Sequence, residues 1–529
     1  MKQKNLFKFI FYTFMLFLTF IYIIYRIFFT IPTKLGIIAT LASILVLLIE
    51  IWETFDFFIY YLNILTVSKK APKTPDISNI KEYPHIDILI ATLNEPEKLL
   101  EKTIIACKNI KYPDKSKIHI YLCDDGNRNN MKNLATKLDI NYISRTSNKN
   151  AKAGNYNHAL QQINSPYIAT FDADMAPTPD FIYKTLPFFF EENNKIGFVQ
   201  LPQSFNNPDI FQYRFKAYNK IPFEQDYFYH SIQIAKNATN SAIYCGTNTL
   251  FSREALNSCN GFATKTISED IATGMLIESN GYKCLALDDI EAYGSSVTDL
   301  TGFIKQRSRW ARGCIQILKN YKILKNKGLS FRQKLEYLSC ISYWFFGLRR
   351  MIYLLTPLLF SIFGIIIIDC NLTTFIALWL PAYILKRFTL DILENKKRSS
   401  TWNKIYETIL TPILFKETLK EFFGFSNTKF EVSPKYSSSS KMSKTNFKLL
   451  ISHLLLLSFN IIGLIMCIFK IKKLGISIYI LPLLWLISNI FYLIISVIFD
   501  CKIKYYQYED FTPNKVNKYK KFSIFKIFI

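Results

Sequence analysis

Three acidic clusters stand out in the chain. They are Glu95 in Thr92-Leu93-Asn94-Glu95-Pro96, Asp124-Asp125 in Cys123-Asp124-Asp125-Gly126, and Asp172 with Asp174 in Phe171-Asp172-Ala173-Asp174. Each closes a short apolar run, at 86–92, 118–122 and 167–171. Carboxylates gathered at three strand ends repel one another unless a cation or a donor group lies between them. An Asp-x-Asp pair offers hard oxygen donors, which suits Mg²⁺ (or Mn²⁺) bridging the protein to a substrate diphosphate. Asp-Asp-Gly is also an ordinary turn; repetition at successive strand ends is what favours chemistry.

Other groups could complete such a site. Lys152-Ala153-Gly154-Asn155 opens a helical stretch, and a lysine beside a helix N-terminus makes a natural diphosphate contact. Taken alone it reads equally as a solvent-facing lysine. Ser268-Glu269-Asp270 begins another helical pattern, 267–280. Ser268 is a suitable N-cap and Asp270 favours the positive helix end, both structural roles. Alternatively Asp270 is a general base for a hydroxyl proton, worth about 10²–10⁴-fold in rate. Gln306-Arg307-Ser308-Arg309-Trp310 lies in a basic amphipathic stretch that by itself reads as an interfacial helix anchored by its tryptophan.

The elements that must position these groups alternate between strand and helix from Pro84 to about Arg312, with 197–201 a further strand and 96–109 and 152–163 helical. That alternation predicts an α/β domain with a largely parallel sheet, whose ligands sit beyond the carboxyl ends of the strands.

Outside this segment the composition changes. Half of the 529 residues are hydrophobic and the formal net charge is +25. No helix-turn-helix, zinc-finger or RNP-type pattern accompanies the charge, which excludes nucleic acid as the expected partner. The ten cysteines form no C-x-x-C pair, so neither a zinc site nor a disulfide framework follows. Apolar runs at 6–25, 35–51 (continuing to Leu62), 351–369, 371–386, 447–469 and 475–499 predict about six membrane spans, 371–386 being short against the roughly 20 residues a span needs. Arg349 and Arg350 would cost about 2.5–3.5 kcal/mol each at mid-bilayer. They are expected to end an interfacial helix before the third span. Lysine is dense at 1–8, 68–81, 316–334, 396–446 and 502–526, all on one side of a six-span chain, which that excess marks as the cytoplasm. Lys470, Lys472 and Lys473 run against this, falling in a loop expected outside.

Taken in order, the motifs resemble those of the family 2 glycosyltransferases, and specifically the processive cellulose synthase branch. That family shows D-D-G, D-x-D, T-E-D and Q-x-x-R-W. Here they read Asp124-Asp125-Gly126, Asp172-Ala173-Asp174, Ser268-Glu269-Asp270 and Gln306-Arg307-Ser308-Arg309-Trp310. Lys152-Ala153-Gly154-Asn155, Val199-Gln200-Leu201-Pro202, Tyr244-Cys245-Gly246-Thr247 and Asn260-Gly261-Phe262 resemble the family's joining segments. Phe430-Glu431-Val432-Ser433-Pro434-Lys435 resembles its gating loop. Serine stands for threonine at Ser268 and Ser433, and Leu93 for the usual tyrosine.

The resemblance implies a GT-A (Rossmann-like) glycosyltransferase domain on the cytoplasmic side of a helical bundle in the cell membrane. It divides the chain into a transmembrane pair (1–62), the GT-A domain (63–320), interfacial helices (321–350), a second pair (351–387), an interfacial helix with the gating loop (388–446), a third pair (447–500) and a basic tail (501–529). It implies Asp270 as catalytic base and Thr92, Glu95, Asp124, Asp125, Lys152 and Asp172 as donor-binding groups. Asp172 and Asp174 would hold the metal. Cys245, Gly246, Thr247, Gln306, Arg309 and Trp310 would bind the acceptor, while Phe430, Val432, Ser433 and Lys435 close over the donor. The implied activity is processive, inverting polymerisation of a β-linked polysaccharide, a cellulose-like β-1,4-glucan from UDP-glucose, with export across the bilayer. The alternatives are another polymer (β-1,3-glucan, mannan, chitin- or hyaluronan-like) or transfer of a single sugar to a lipid. The implied partners are the UDP-sugar, the growing polysaccharide, the lipid bilayer and an accessory export subunit. The stretch after the last span is too short for the cyclic-di-GMP-binding PilZ domain, so none is expected in this chain.

Overall fold

The structure is a computed structural model that describes residues 2–66, 71–76, 82–191, 195–215, 217, 221–297, 299–393, 399–425, 446–474 and 476–501. Residues 86–286 contribute a seven-stranded sheet. The strands are β1 (Ile86–Thr92), β2 (Ile118–Asp124), β3 (Asn141–Ser144), β4 (Tyr167–Asp172), β5 (Ile196–Gln200), β6 (Thr249–Ser252) and β7 (Lys283–Ala286), in the spatial order β3-β2-β1-β4-β6-β5-β7. β1 pairs in parallel with β2 and β4, while β6 runs antiparallel to both β4 and β5. The sheet is therefore mixed. The short, fully buried Thr249-Leu250-Phe251 run gives no alternation by which β6 could be read ahead of the structure.

Strand periodicity fixes which residues form the core. In β1, Ile86, Ile88 and Ile90 enter one apolar layer and Leu89 the other, so both faces are covered by helices. The helices used below are α3 (Glu97–Lys108), α4 (Ala151–Leu160), α5 (Glu269–Ser279) and α6 (Leu300–Asn320). Strands β1, β2 and β4 end at Thr92, Asp124 and Asp172, so the polar motifs all emerge at one edge of the sheet.

Flanking the sheet domain are α1 (Lys2–Phe29), α2 (Ile37–Thr66), α7 (Phe331–Tyr343), α8 (Phe346–Ser361), α9 (Leu372–Leu393), α10 (Ser400–Phe423), α11 (Phe447–Leu474) and α12 (Ile476–Cys501). Among the described residues, four stretches are long and apolar enough to cross a membrane: Phe9–Phe29, Ile37–Leu62, Phe447–Lys472 and Ile478–Cys501. Their outer faces leave large side chains such as Phe17, Leu48, Leu455 and Ile487 exposed, the surface a bilayer would cover. The stretch expected as a third span behaves differently. α8 ends at Ser361, short of 369, and Arg349 and Arg350 stand near its start rather than closing the preceding helix. Both are buried, with Arg349 Nη1 donating to Asp56 Oδ2 (2.7 Å) and Arg350 Nε to Thr408 Oγ1 (3.0 Å). α10 contributes Ile405, Tyr406, Ile409, Leu410 and Leu414 to a core shared with Phe211, Phe303, Leu449 and Phe499. This helix thus joins the sheet domain to the bundle. Lys470 and Lys472, expected in a loop, lie in the last turns of α11, where Lys470 Nζ donates to Ser361 O at 2.8 Å.

Candidate active site

The strand-end carboxylates are gathered as expected, and Asp124, Asp125 and Asp172 are each answered by a basic group from the chain. Thr92 Oγ1 and the backbone N–H groups of Leu93 and Asn94 all donate to Glu95 Oε2, at 2.8, 2.8 and 3.1 Å, folding this loop onto one carboxylate oxygen. Arg128 spans the first two motifs, donating to Thr92 Oγ1, Glu95 O and Asp124 Oδ1 at 2.7, 2.8 and 3.1 Å. Asp124 also accepts from the backbone N–H of Gly126 and Arg128 and from Tyr142 Oη, and it is fully buried. Its oxygens hold the turn together. Asp125 is clasped by Arg145 at 2.5 Å from Nε and 2.9 Å from Nη2. The same guanidinium donates to Lys149 O and Ala151 O, tying the carboxylate to the first turn of α4.

On that turn Lys152 Nζ donates to Asp172 Oδ1 (2.5 Å) and Gly246 O (2.6 Å). Burial would lower the lysine's pKa, but the adjacent Asp172 carboxylate outweighs it and holds the ammonium above its ordinary value. Asp172 and Asp174 both border the cavity described below. Among the described residues no three His, Cys, Asp or Glu side chains gather into a protein-only metal cage. Two carboxylates flanking one strand end, with a diphosphate and water to complete the shell, is nevertheless the donor set that magnesium takes. The residues fit the implied metal.

Asp270 opens α5, and its Oδ1 accepts from the Ile271 backbone N–H at 2.9 Å. Gly246, at φ +85°, threads between it and Lys152: a Cβ there would lie 3.2 Å from Asp270 Oδ2 and 3.6 Å from Lys152 Nζ. The left-handed backbone and the close approach both call for glycine. Burial raises the pKa of Asp270, against the pull of Lys152 and Arg309, and burial followed by the Asp270 charge raises that of Glu269. Ser268 is the N-cap residue, yet its side chain makes no capping bond. α6 packs directly on it instead, since a Cβ at Gly313 would come within 2.8 Å of the Ser268 backbone nitrogen. Thr266 Oγ1 donates to Gly313 O, and Gln316 Oε1 accepts from the Ile267 backbone N–H. The Ser-Glu-Asp motif and the Gln-x-x-Arg-Trp helix are thereby locked together.

A cavity of about 1080 Å³ joins these parts. It is bordered by Thr92, Glu95, Asp125, Lys152, Asp172, Asp174, Cys245, Gly246 and Asp270, and by Gln306, Arg309 and Trp310 of α6. Asp124 and Thr247 are absent from its lining; Thr247 is buried and its Oγ1 accepts from the Asp172 backbone N–H at 2.9 Å. Phe430, Val432, Ser433 and Lys435 lie outside the described residues. From Trp310 the cavity continues past Trp344 to Glu53, Asp56, Phe57 and Tyr60 of α2, Arg349 of α8, Lys386 of α9 and Lys404 and Glu407 of α10. This far wall went unread in the sequence. Its signal was the spacing i, i+3, i+4, i+7 of Glu53, Asp56, Phe57 and Tyr60, a polar and aromatic stripe on an otherwise apolar helix.

A mixed sheet with carboxylates beyond its strand ends and a connected cavity defines a GT-A-like glycosyltransferase fold. Residues 87–259 match the family described as Glycosyl transferase family 2, and residues 258–471 match the family Cellulose synthase. The chain is thus similar to the family 2 glycosyltransferases and is cellulose synthase-like. It is 33% identical over 384 residues to the UDP-forming cellulose synthase catalytic subunit of Pseudomonas fluorescens, covering 73% of this chain and 52% of that protein. With the corresponding subunit of Xanthomonas axonopodis pv. citri it is 31% identical over 395 residues, covering 74% and 54%. The chain thus spans about half the length of these curated relatives. Among solved structures, the mannosyltransferase PcManGT from Pyrobaculum calidifontis, in complex with GDP-Man and Mn²⁺, aligns with a TM-score of 0.49 and 17% identity, covering 73% of this chain and 100% of that one.

Proposed function

We propose that the chain polymerises a β-linked polysaccharide from a UDP-sugar and passes it into the membrane, with a cellulose-like β-1,4-glucan from UDP-glucose as the product. The observation that carries this reading is the single cavity running from the strand-end carboxylates past Asp270 and Trp310 to the polar stripe of α2. An enzyme that adds one sugar and releases it has no need of such a continuation. The kinship with cellulose synthase catalytic subunits supports the choice of donor and product.

In this reading Thr92, Glu95 and Asp125 line the nucleotide end, with Asp124 and Arg128 shaping it from behind. Asp172 and Asp174 would hold Mg²⁺ or Mn²⁺, which when bound neutralises the departing diphosphate. Lys152 and Arg309 add fixed positive charge on the same floor, where developing negative charge is best stabilised by groups already in place. Asp270 takes the proton of the acceptor hydroxyl as that oxygen bonds to the anomeric carbon. The carbon–diphosphate bond breaks on the opposite face, giving inversion and free UDP. The raised pKa of Asp270 makes it a stronger base than an exposed aspartate. Trp310 stacks on the terminal acceptor sugar, with Gln306, Cys245 and Gly246 around it. The catalytic domain faces the cytoplasm, and α8 and α9 join the four long apolar helices to make six spans.

The test is an assay of the purified full chain with Mg²⁺ and a panel of UDP-sugars, with linkage analysis of the product. β-1,4-linked glucan from UDP-glucose, with one UDP released per sugar, is expected. A polymer from another donor, or a single sugar on a lipid, would replace this reading.

A further inference from the structure

Arg307 stands inside the Gln-x-x-Arg-Trp segment, at a position the motif does not specify. Its side chain is 4% exposed, and its guanidinium meets four groups at once. Nη2 donates to Glu224 Oε2, and Nη1 to Gln306 Oε1 at 3.2 Å. Its carbon lies 4.3 Å from the centre of the Trp310 ring and 4.6 Å from that of Phe303. A planar cation held between two aromatic rings gains from both their quadrupoles and their flatness, and it fixes the rings in return. Trp344 meets Trp310 edge-on at 6.3 Å, so one face and one edge of the indole are spoken for by protein while the ring still borders the cavity. Glu224 is itself anchored, because its backbone N–H donates to Asp209 Oδ2 at 2.9 Å.

We propose that Arg307 is the positioning residue of the acceptor end, setting the plane of Trp310 and the direction of the Gln306 amide through which it acts on the bound sugar. The inference rests on the reading of Trp310 as an acceptor platform. A polymer that advances after each addition needs a platform that holds its plane between cycles. Trp310 alone, on one helix face, would rotate about its side-chain bonds. The Glu224–Arg307 pair also ties α6 to the segment bearing Gln225 and Tyr227, which border the same cavity. The acceptor end is thereby clamped from two directions.

Arg307→Lys keeps the charge and loses the planar stack and fork. In the full chain in detergent, it is expected to raise the KM for an oligosaccharide acceptor about tenfold and to shorten the polymer, while the KM for UDP-glucose and acceptor-independent UDP release stay within twofold. Glu224→Gln should act in the same direction and more weakly, and it serves if the lysine variant does not fold. In a Trp310→Ala background, Arg307→Lys should add to the acceptor KM only the smaller part that passes through Gln306. An unchanged acceptor KM in both Arg307→Lys and Glu224→Gln, with Trp310→Ala defective, overturns the positioning role and leaves the proposed function standing. Equal loss of donor and acceptor kinetics would mark Arg307 as merely structural and overturn it too. A normal acceptor KM in Trp310→Ala removes the platform itself, and the proposed function's acceptor site with it.

Discussion

The two ends of the cavity are built on different principles. At the strand ends, negative charge is dense and already compensated: Asp124 by Arg128, Asp125 by Arg145, and Asp172 by Lys152. At the α5–α6 end, Asp270 and Glu269 stand half-buried on the cavity wall and are left with raised pKa values. The first arrangement makes a cradle of closely paired charges. The second keeps a carboxylate basic. The mutual repulsion expected of the strand-end carboxylates is thus met largely by the protein's own cations, and the metal has only the Asp172–Asp174 pair to satisfy. Binding and proton transfer ask opposite things of a carboxylate, and the fold supplies each at a separate place.

The comparison breaks most severely at the metal. Chelation by excess EDTA should abolish synthesis and Mg²⁺ or Mn²⁺ should restore it, with Zn²⁺ a poor substitute for an oxygen-only site. Undiminished UDP release in EDTA would mean that Lys152 and its neighbours suffice alone. Arg145→Ala probes the cradle next. It leaves Asp125 buried without its cation, a loss on the order of 3 kcal/mol, and it should lower the melting temperature together with the affinity for UDP in calorimetry. Unchanged UDP affinity would detach Asp125 from the donor end.

Gly313→Val probes the join between the ends. The added side chain would press on Ser268 and push α6 away from Asp270, at a cost of about 1–3 kcal/mol from overpacking. Polymer synthesis should fall far more than UDP binding. Equal loss of both would show that the two ends are not separable.

The smallest effect is the pH profile. The base acts when deprotonated, so activity is lost as pH falls through its pKa. Because burial raises that pKa, the acid limb should lie above the ordinary carboxylate value of about 4. The Asp270 charge raises the pKa of Glu269 and not the reverse, so Glu269→Gln should leave the limb in place. A limb that moved with Glu269→Gln would place the controlling group at Glu269.

The two ends also differed in how far they could be read from sequence. Strand-end residues such as Thr92 and Asp172 follow directly on apolar runs, so strand period and turn chemistry located them to within a residue or two. Their partners Arg128 and Arg145 lie in loops with no pattern, and only the fold shows what they hold. Ser268 and Trp310 were found by motif order, but the contact of Ser268 with Gly313 links positions with no periodic relation. The α2 stripe was hidden because Glu53, Asp56 and Tyr60 sit in a helix whose overall apolarity dominates the reading. β6 was hidden for the converse reason, a strand too short and too buried to alternate. Asp124 and Thr247 had the right neighbours in sequence, yet their side chains turn inward to hold the loops.

The central claim is that Asp270 is the base at the acceptor end of a donor site that works without it. Its most direct test is Asp270→Asn in the purified full chain, with UDP binding, UDP release and polymer measured on the same preparation. Asparagine preserves the volume and cannot take up the hydroxyl proton. The account predicts UDP binding close to that of the unaltered protein and polymer synthesis reduced by at least about 100-fold. Retention of more than about a tenth of normal turnover, above what loss of a general base allows, would contradict it.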